Sequence, residues 1–86
     1  MRYYFDVRIG TNEVLDEQGS DGLDPAMVRR LAIASLPVIA AENLPAEGDH
    51  YVAEVRVRDE TNRSVFAATL TVESGWLTSP TQNSRH

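Results

Sequence analysis

The chain has 86 residues, the size of one small domain, and its 42% hydrophobic and 24% charged residues are typical of a globular protein rather than a disordered one. It contains no cysteine, which excludes disulfides and thiolate chemistry and is compatible with the cytoplasm, where we expect the protein to reside. A net charge of −5 argues against non-specific binding to nucleic acid, and no apolar run is long enough to predict a membrane span or a signal peptide.

The first part of the chain predicts a β-hairpin. Residues 2–9 alternate between apolar and polar side chains, which is the pattern of a strand with one buried face. Gly10, Thr11 and Asn12 form a turn signal, and Glu13 to Glu17 are predicted to return as a short edge strand.

A helix is predicted next, beginning at Pro25 with Asp24 as its N-cap. Pro37 lies inside this segment, and a proline there predicts a kink or a break near Ser35 and Leu36, because it lacks the amide N–H that a helix needs. The helix is expected to end around residues 43–44. The positions at helical spacing are Val28, Leu31, Ala32, Ser35, Leu36 and Ile39.

A second hairpin follows the helix. Strands are predicted over residues 50–58 and 64–73, joined by a loop at residues 59–62 in which Asn62 can adopt a left-handed conformation. We assign residues 1–75 to a single domain and residues 76–86, which lack periodicity, to a flexible C-terminal tail.

The predicted fold class is therefore α+β, with element order β-β-α-β-β and a four-stranded, mainly antiparallel sheet carrying one long helix on one face. The alternation leaves the order of the strands open. The residues expected to face the helix are Tyr3, Phe5, Val7, Ile9, Tyr51, Val55, Val57, Phe66, Leu70 and Val72.

Four segments carry a family resemblance: Arg2–Phe5, Asp16-Glu17 with Gly19, the alanine-rich helix and Val55–Glu60. Together they resemble a family of small uncharacterised bacterial proteins, most frequent in alphaproteobacteria, that open with an RYYF-like strand. The resemblance covers about residues 2–73 and implies the domain boundary rather than an activity. Pro37 and Asn62 depart from the family pattern.

The outer face of the predicted sheet, turned away from the helix, is rich in arginine. Arginine and aromatic side chains on a sheet can bind nucleic acid or another anion, which gives one functional hypothesis. Asp6 and Glu54 lie on the same face, so cross-strand ion pairs that neutralise the arginines are the alternative. The exposed set is Arg2, Tyr4, Arg8, His50, Arg56 and Arg58.

No catalytic, cofactor-binding or metal-binding site is predicted. The acidic residues between Glu13 and Asp24 do not have the spacing of a calcium loop, since Met27 stands where the twelfth-position ligand is needed. His50 and the terminal His86 are the two histidines, too few for a usual zinc site. No serine has a spacing to His50 that favours a hydrolytic triad. We therefore expect a protein that is not an enzyme.

The predicted helix carries more apolar residues than one small sheet can cover. Either Pro37 turns all of them towards a single core, or the surplus packs on a second copy or another protein. We favour a small interaction or regulatory module, expected to form a homodimer or to bind another protein, with nucleic-acid or anion binding as the alternative. The candidate partner-binding residues are Tyr4, Arg8, Arg56 and Arg58 on the sheet and Ile33, Val38 and Leu44 on the helix.

Overall fold

A computed structural model describes residues 1–44 and 48–78. It confirms the α+β class and the β-β-α-β-β order. Residues 45–47 of the predicted loop and residues 79–86 of the predicted tail lie outside the described residues. The elements are β1 (Tyr4–Ile9), β2 (Asn12–Val14), α1 (Pro25–Asn43), β3 (His50–Arg58) and β4 (Ser64–Glu73).

The four strands form one antiparallel sheet in the order β2-β1-β3-β4. The first strands of the two hairpins are neighbours, so β3 is central and the helix connects the two hairpins. In the register, Tyr4 lies opposite Arg58 and Ile9 opposite Ala53. The register of β3 and β4 shifts at the Val57/Arg58 end, which marks an irregularity there.

The helix begins and ends as the local sequence dictates. Asp24 Oδ1 accepts a hydrogen bond from the Met27 amide at 2.9 Å, and Pro25 occupies the first turn, where no amide donor is needed. The amide of Leu44 closes the last turn on the Ala40 carbonyl at 2.8 Å. Pro45 follows in the sequence and disfavours a helical conformation for Leu44.

Of the kink or break predicted at Pro37, the break does not occur, since α1 continues through it to Asn43. Pro37 lies on an exposed part of the helix, where water can bond to the carbonyl that its missing amide leaves unpaired. No helix of the described residues is long and apolar enough to cross a bilayer.

The core lies between one stripe of α1 and the inner face of β3. Two of the four buried helix positions are alanines, which bring the helix close to the sheet. Ala40, near the end of the helix, is 7% exposed and belongs to this core. The buried residues are Val28, Ala32, Leu36 and Ala40 of the helix and Tyr51, Ala53, Val55 and Val57 of β3.

The helix packs on β3 and β4, so it covers the inner face of these two strands more fully than that of β1. The predicted inward residues of β1 and β4 contact the core but are only partly buried. Truncating a fully buried residue such as Val55 would cost about 1–3 kcal/mol of unfolding free energy.

The β3–β4 turn is held by a buried carboxylate. Asp59 is 5% exposed, and its Oδ1 accepts from the Thr61 hydroxyl at 2.6 Å, the Thr61 amide at 2.9 Å and the Arg63 amide at 3.1 Å. Asn62 has a φ of 68°, as predicted. The Thr61 hydroxyl first, and then the Arg63 amide, lowers the pKa of Asp59.

Candidate functional site

The outer face of the sheet contains a buried ion pair. Asp6 Oδ2 accepts a hydrogen bond from Arg58 Nε at 2.8 Å, and Asp6 Oδ1 accepts from Arg58 Nη2 at 3.3 Å. The side chain of Asp6 is 6% exposed and that of Arg58 is 21% exposed. The bond to Asp6 raises the pKa of Arg58, so the guanidinium stays charged.

A loop of residues 15–20, here called the covering loop, closes over this pair. The Asp16 amide donates to Asp6 Oδ1 at 2.9 Å, and Arg58 Nη2 donates to the Asp16 carbonyl at 2.8 Å. Ser20 then pairs with Tyr3 through two backbone hydrogen bonds of 2.9 and 2.8 Å. The covering loop thus continues along the edge of β1 after β2 has ended.

The side chain of Asp16 takes the place of a strand beside β1, because it accepts a hydrogen bond that a neighbouring strand would otherwise accept. Its Oδ2 accepts from the Phe5 amide of β1 at 3.1 Å, while its Oδ1 accepts from the amides of Gln18 at 3.1 Å and Gly19 at 3.0 Å. Partial burial opposes ionisation, but these backbone donors together with the nearby Arg58 lower the pKa of Asp16. This substitution is why β2 is shorter than predicted and ends at Val14.

Gly19 lets the covering loop approach Tyr4 closely. Its φ is +72°, and a Cβ placed on it would lie 2.8 Å from Tyr4 Cε2 and 3.0 Å from the Tyr3 carbonyl oxygen. The Arg58 guanidinium lies 4.7 Å from the centre of the Tyr4 ring. The predicted site residues Tyr4 and Arg58 are therefore in contact, within a network that also holds the covering loop in place.

The other two predicted arginines lie further along the same face, each beside a carboxylate. Arg8 Nη2 lies 3.5 Å from Glu13 Oε2, and Arg56 Nη2 lies 3.3 Å from Glu54 Oε2. Both side chains are about half exposed, at 52% and 46%. Arg8, Arg56 and Arg58 thus each lie beside a carboxylate and do not form an uncompensated positive cluster. The arrangement gives no support to the anion-binding alternative.

The three predicted helix residues lie in different places. Val38 is 60% exposed and Ile33 is 40% exposed, whereas Leu44 is half-buried and packs against the core. Ile33 borders a separate shallow hollow of about 400 Å³ on the helix. Val38 borders an open groove of about 430 Å³, here called the α1–β1 groove, which is lined by Val7, Leu31, Ala34, Ser35, Val38 and Ile39.

His50 is placed at one end of the sheet. Its Nδ1 lies 3.6 Å from Glu73 Oε2, and both side chains are exposed. A neighbouring hollow of about 400 Å³ includes Asp49 and Ser74, which are joined by a backbone hydrogen bond of 2.7 Å. Within residues 1–44 and 48–78, no three histidine or acidic side chains converge as metal ligands.

The connection between Asp6 and Asp16 was not predicted. The sequence pattern placed Asp6 on the outer face beside the arginines and Asp16 in the short edge strand predicted from Glu13 to Glu17. The available signal was Asp16 followed three residues later by Gly19, a spacing typical of an aspartate that accepts bonds from nearby amides. The contact with β1 is not local, and no spacing reveals it.

Residues 2–71 match the model of a family described as a domain of unknown function, DUF6894, and the chain belongs to this family. The expected membership of a family without a known function is confirmed. The match does not address the bacterial group or the RYYF-like opening, which stay predictions. No curated protein and no solved structure matches the chain.

Proposed function

We propose that this member of the DUF6894 family is a protein-interaction module that acts by non-covalent binding and self-associates. In this proposal the domain performs no bond chemistry and needs no cofactor. The lack of cysteine supports a place in a reducing compartment such as the cytoplasm.

One observation carries this proposal: α1 is covered along a single narrow stripe. Four large apolar side chains of the helix stay at least 40% exposed, and they lie on both sides of the buried stripe. Apolar side chains clustered on a surface are typical of protein–protein contact sites. The four residues are Met27 at 40%, Leu31 at 44%, Ile33 at 40% and Val38 at 60% exposure.

The polar network of the outer face supports a structural role for the groups that are bonded within it. The Asp6 carboxylate, the Arg58 guanidinium and the Asp16 carboxylate bond to one another or to the backbone of the chain. Groups engaged in this way hold the covering loop on β1. Recognition of a partner is accordingly assigned to the apolar helix flanks and the sheet edge.

Light scattering over a hundredfold dilution tests the proposal. We expect a particle of twice the 9.5 kDa chain mass at the higher concentrations, with dissociation on dilution. A single-chain mass throughout the series would contradict self-association. Far-ultraviolet circular dichroism at each concentration ensures that the mass refers to folded protein.

A further inference from the structure

We propose that two copies of this chain associate by antiparallel pairing of their β4 strands, which creates one continuous eight-stranded sheet. The proposal rests on the self-association proposed above and specifies its surface. It assigns the contact to a strand edge rather than to the α1–β1 groove.

Two backbone hydrogen bonds show which way the amides of β4 point. The Gly10 amide donates to the Val52 carbonyl at 3.2 Å, so the backbone of Val52 faces β1. The Ser74 amide donates to the Asp49 carbonyl at 2.7 Å, so the backbone of Ser74 faces the β3 side. Because backbone groups alternate along an antiparallel strand, every second residue of β4 points its N–H and C=O away from β3. After the register shift near Ser64, the residues that point outward are Ala67, Thr69, Thr71 and Glu73.

The two edges of the sheet differ in their protection. The edge opposite β4 is β2, which is only three residues long, and beyond it the covering loop bonds to the outward amides of β1. The β4 edge has β3 as its single strand neighbour in the described residues. β4 is ten residues long and contains no proline, no lysine and one carboxylate. A long edge without such protective residues is a template for another strand.

The charges at the two ends of β4 favour a second copy of the chain as the partner, in the antiparallel orientation. Arg63 stands just before β4 and lies 3.8 Å from Asp59, and Glu73 ends β4 and lies 3.6 Å from His50. Both side chains nevertheless stay open to a second partner, with exposures of 79% and 76%. Antiparallel pairing of two β4 strands brings the Arg63 end of each copy to the Glu73 end of the other. Parallel pairing would place the two Glu73 carboxylates side by side, which is unfavourable. The edge is thus self-complementary about a two-fold axis.

The helix supplies apolar surface to the same contact. Leu31 lines the groove beside β1, and Ile33, two residues on, is turned by roughly 200° around the axis. Since α1 lies over β3 and β4, we place the flank that carries Ile33, together with its neighbours Arg29 and Arg30, on the β4 side. A two-fold axis perpendicular to the sheet places both helices on the same face of the eight-stranded sheet. There the second copy would bury this flank and the side chains of Phe66 and Leu70, which are only partly buried in one copy.

The substitution Thr71→Lys tests the edge, with Thr11→Lys as its matched control. Thr71 is exposed on the free edge opposite Val52, whereas Thr11 is exposed in the β1–β2 turn at the other side of the sheet. We expect Thr71→Lys to raise the dissociation constant of the dimer at least tenfold, because a lysine on a strand edge opposes pairing with another strand. Thr11→Lys should leave the dissociation constant unchanged.

Thr69→Pro provides a second variant, since it removes an outward amide without removing a bond to β3. A dimer that persists in both folded β4 variants would overturn the β4 assignment. If that dimer is instead lost in Val38→Glu, the α1–β1 groove is the interface and the proposed function survives. A natural chain that stays monomeric at every concentration would overturn the β4 assignment and the proposed self-association together.

Discussion

Arg58 bonds to Asp6 at 2.8 Å although the strand register places Arg56, and not Arg58, opposite Asp6. The diagonal contact arises because Tyr4 occupies the position facing Arg58, and its ring lies against the guanidinium. Asp16 then covers the pair from the neighbouring edge. A face that appears solvated from the sequence therefore contains a buried charge.

Asp6→Asn should destabilise the fold markedly. The neutral amide weakens two charge-assisted bonds to Arg58 and deprives its guanidinium of the carboxylate it bonds to directly, at a cost of about 2 kcal/mol in the free energy of unfolding. Asp21→Asn is the matched control, because the Asp21 side chain is 64% exposed and its ion pairs lie at 3.6 and 3.8 Å. Urea denaturation of both variants measures the difference. Equal effects would show that the buried pair does not stabilise the domain.

Asp16→Ala should destabilise the domain by about 2 kcal/mol, because three backbone amides lose their acceptor. Glu17→Ala alters the exposed neighbouring residue and should change the free energy of unfolding by less than about 0.5 kcal/mol. Amide exchange at Phe5 provides a local readout and should accelerate in Asp16→Ala. Unchanged exchange at Phe5 would refute the role of Asp16 as a strand substitute.

Gly19→Ala and Gly22→Ala separate backbone strain from steric contact. Both glycines have positive φ, +72° and +75°, and a Cβ at Gly22 meets nothing within 4 Å. Each substitution should cost about 1 kcal/mol for the left-handed backbone. Gly19→Ala should cost roughly 1–3 kcal/mol more, because its Cβ would collide with Tyr4 and with the Tyr3 carbonyl. Thermal unfolding measures both, and matching losses would contradict the close approach.

Acid should weaken the fold through Asp16 and Asp59. The folded-state pKa of each is lowered, so their contribution is fully present above the unfolded value of about 3.9. It is lost as the pH falls through the lower folded-state values. Urea midpoints measured from pH 7 down to pH 2 should therefore drop in the acidic range, and less steeply in Asp59→Asn. A parent and a variant with the same acid dependence would contradict this assignment.

Alternation and helical spacing were sufficient to predict the fold class and the bounds of the longer elements. Val55 and Val57 are buried, as their positions in β3 predicted, and Asn62 has the expected left-handed conformation. Strand order was not predictable, since hydrophobic patterns identify faces and not neighbours. The extent of β2 was predicted wrongly because Asp16 reaches Phe5 through its side chain, a contact that no local pattern encodes.

The candidate site was predictable only in part. The exposure of Ile33 and Val38 follows from the excess of apolar residues, but their separation onto two flanks depends on where the helix rests on the sheet. Leu44 packs against the core because α1 ends there beside the sheet. The free edge of β4 depends entirely on strand order, so the sequence alone did not indicate it.

Amide hydrogen exchange at Thr69 and Thr71 tests the central claim most directly. In a single chain these amides point away from β3, whereas in the β4-paired dimer they donate to the second copy. At a concentration where light scattering shows a dimer, we predict slow exchange at both residues, and fast exchange after dilution to the monomer. The amides of Ala68 and Leu70, which face β3, serve as internal references and should be protected in both samples. Fast exchange at Thr69 and Thr71 in a sample that is dimeric would contradict the account.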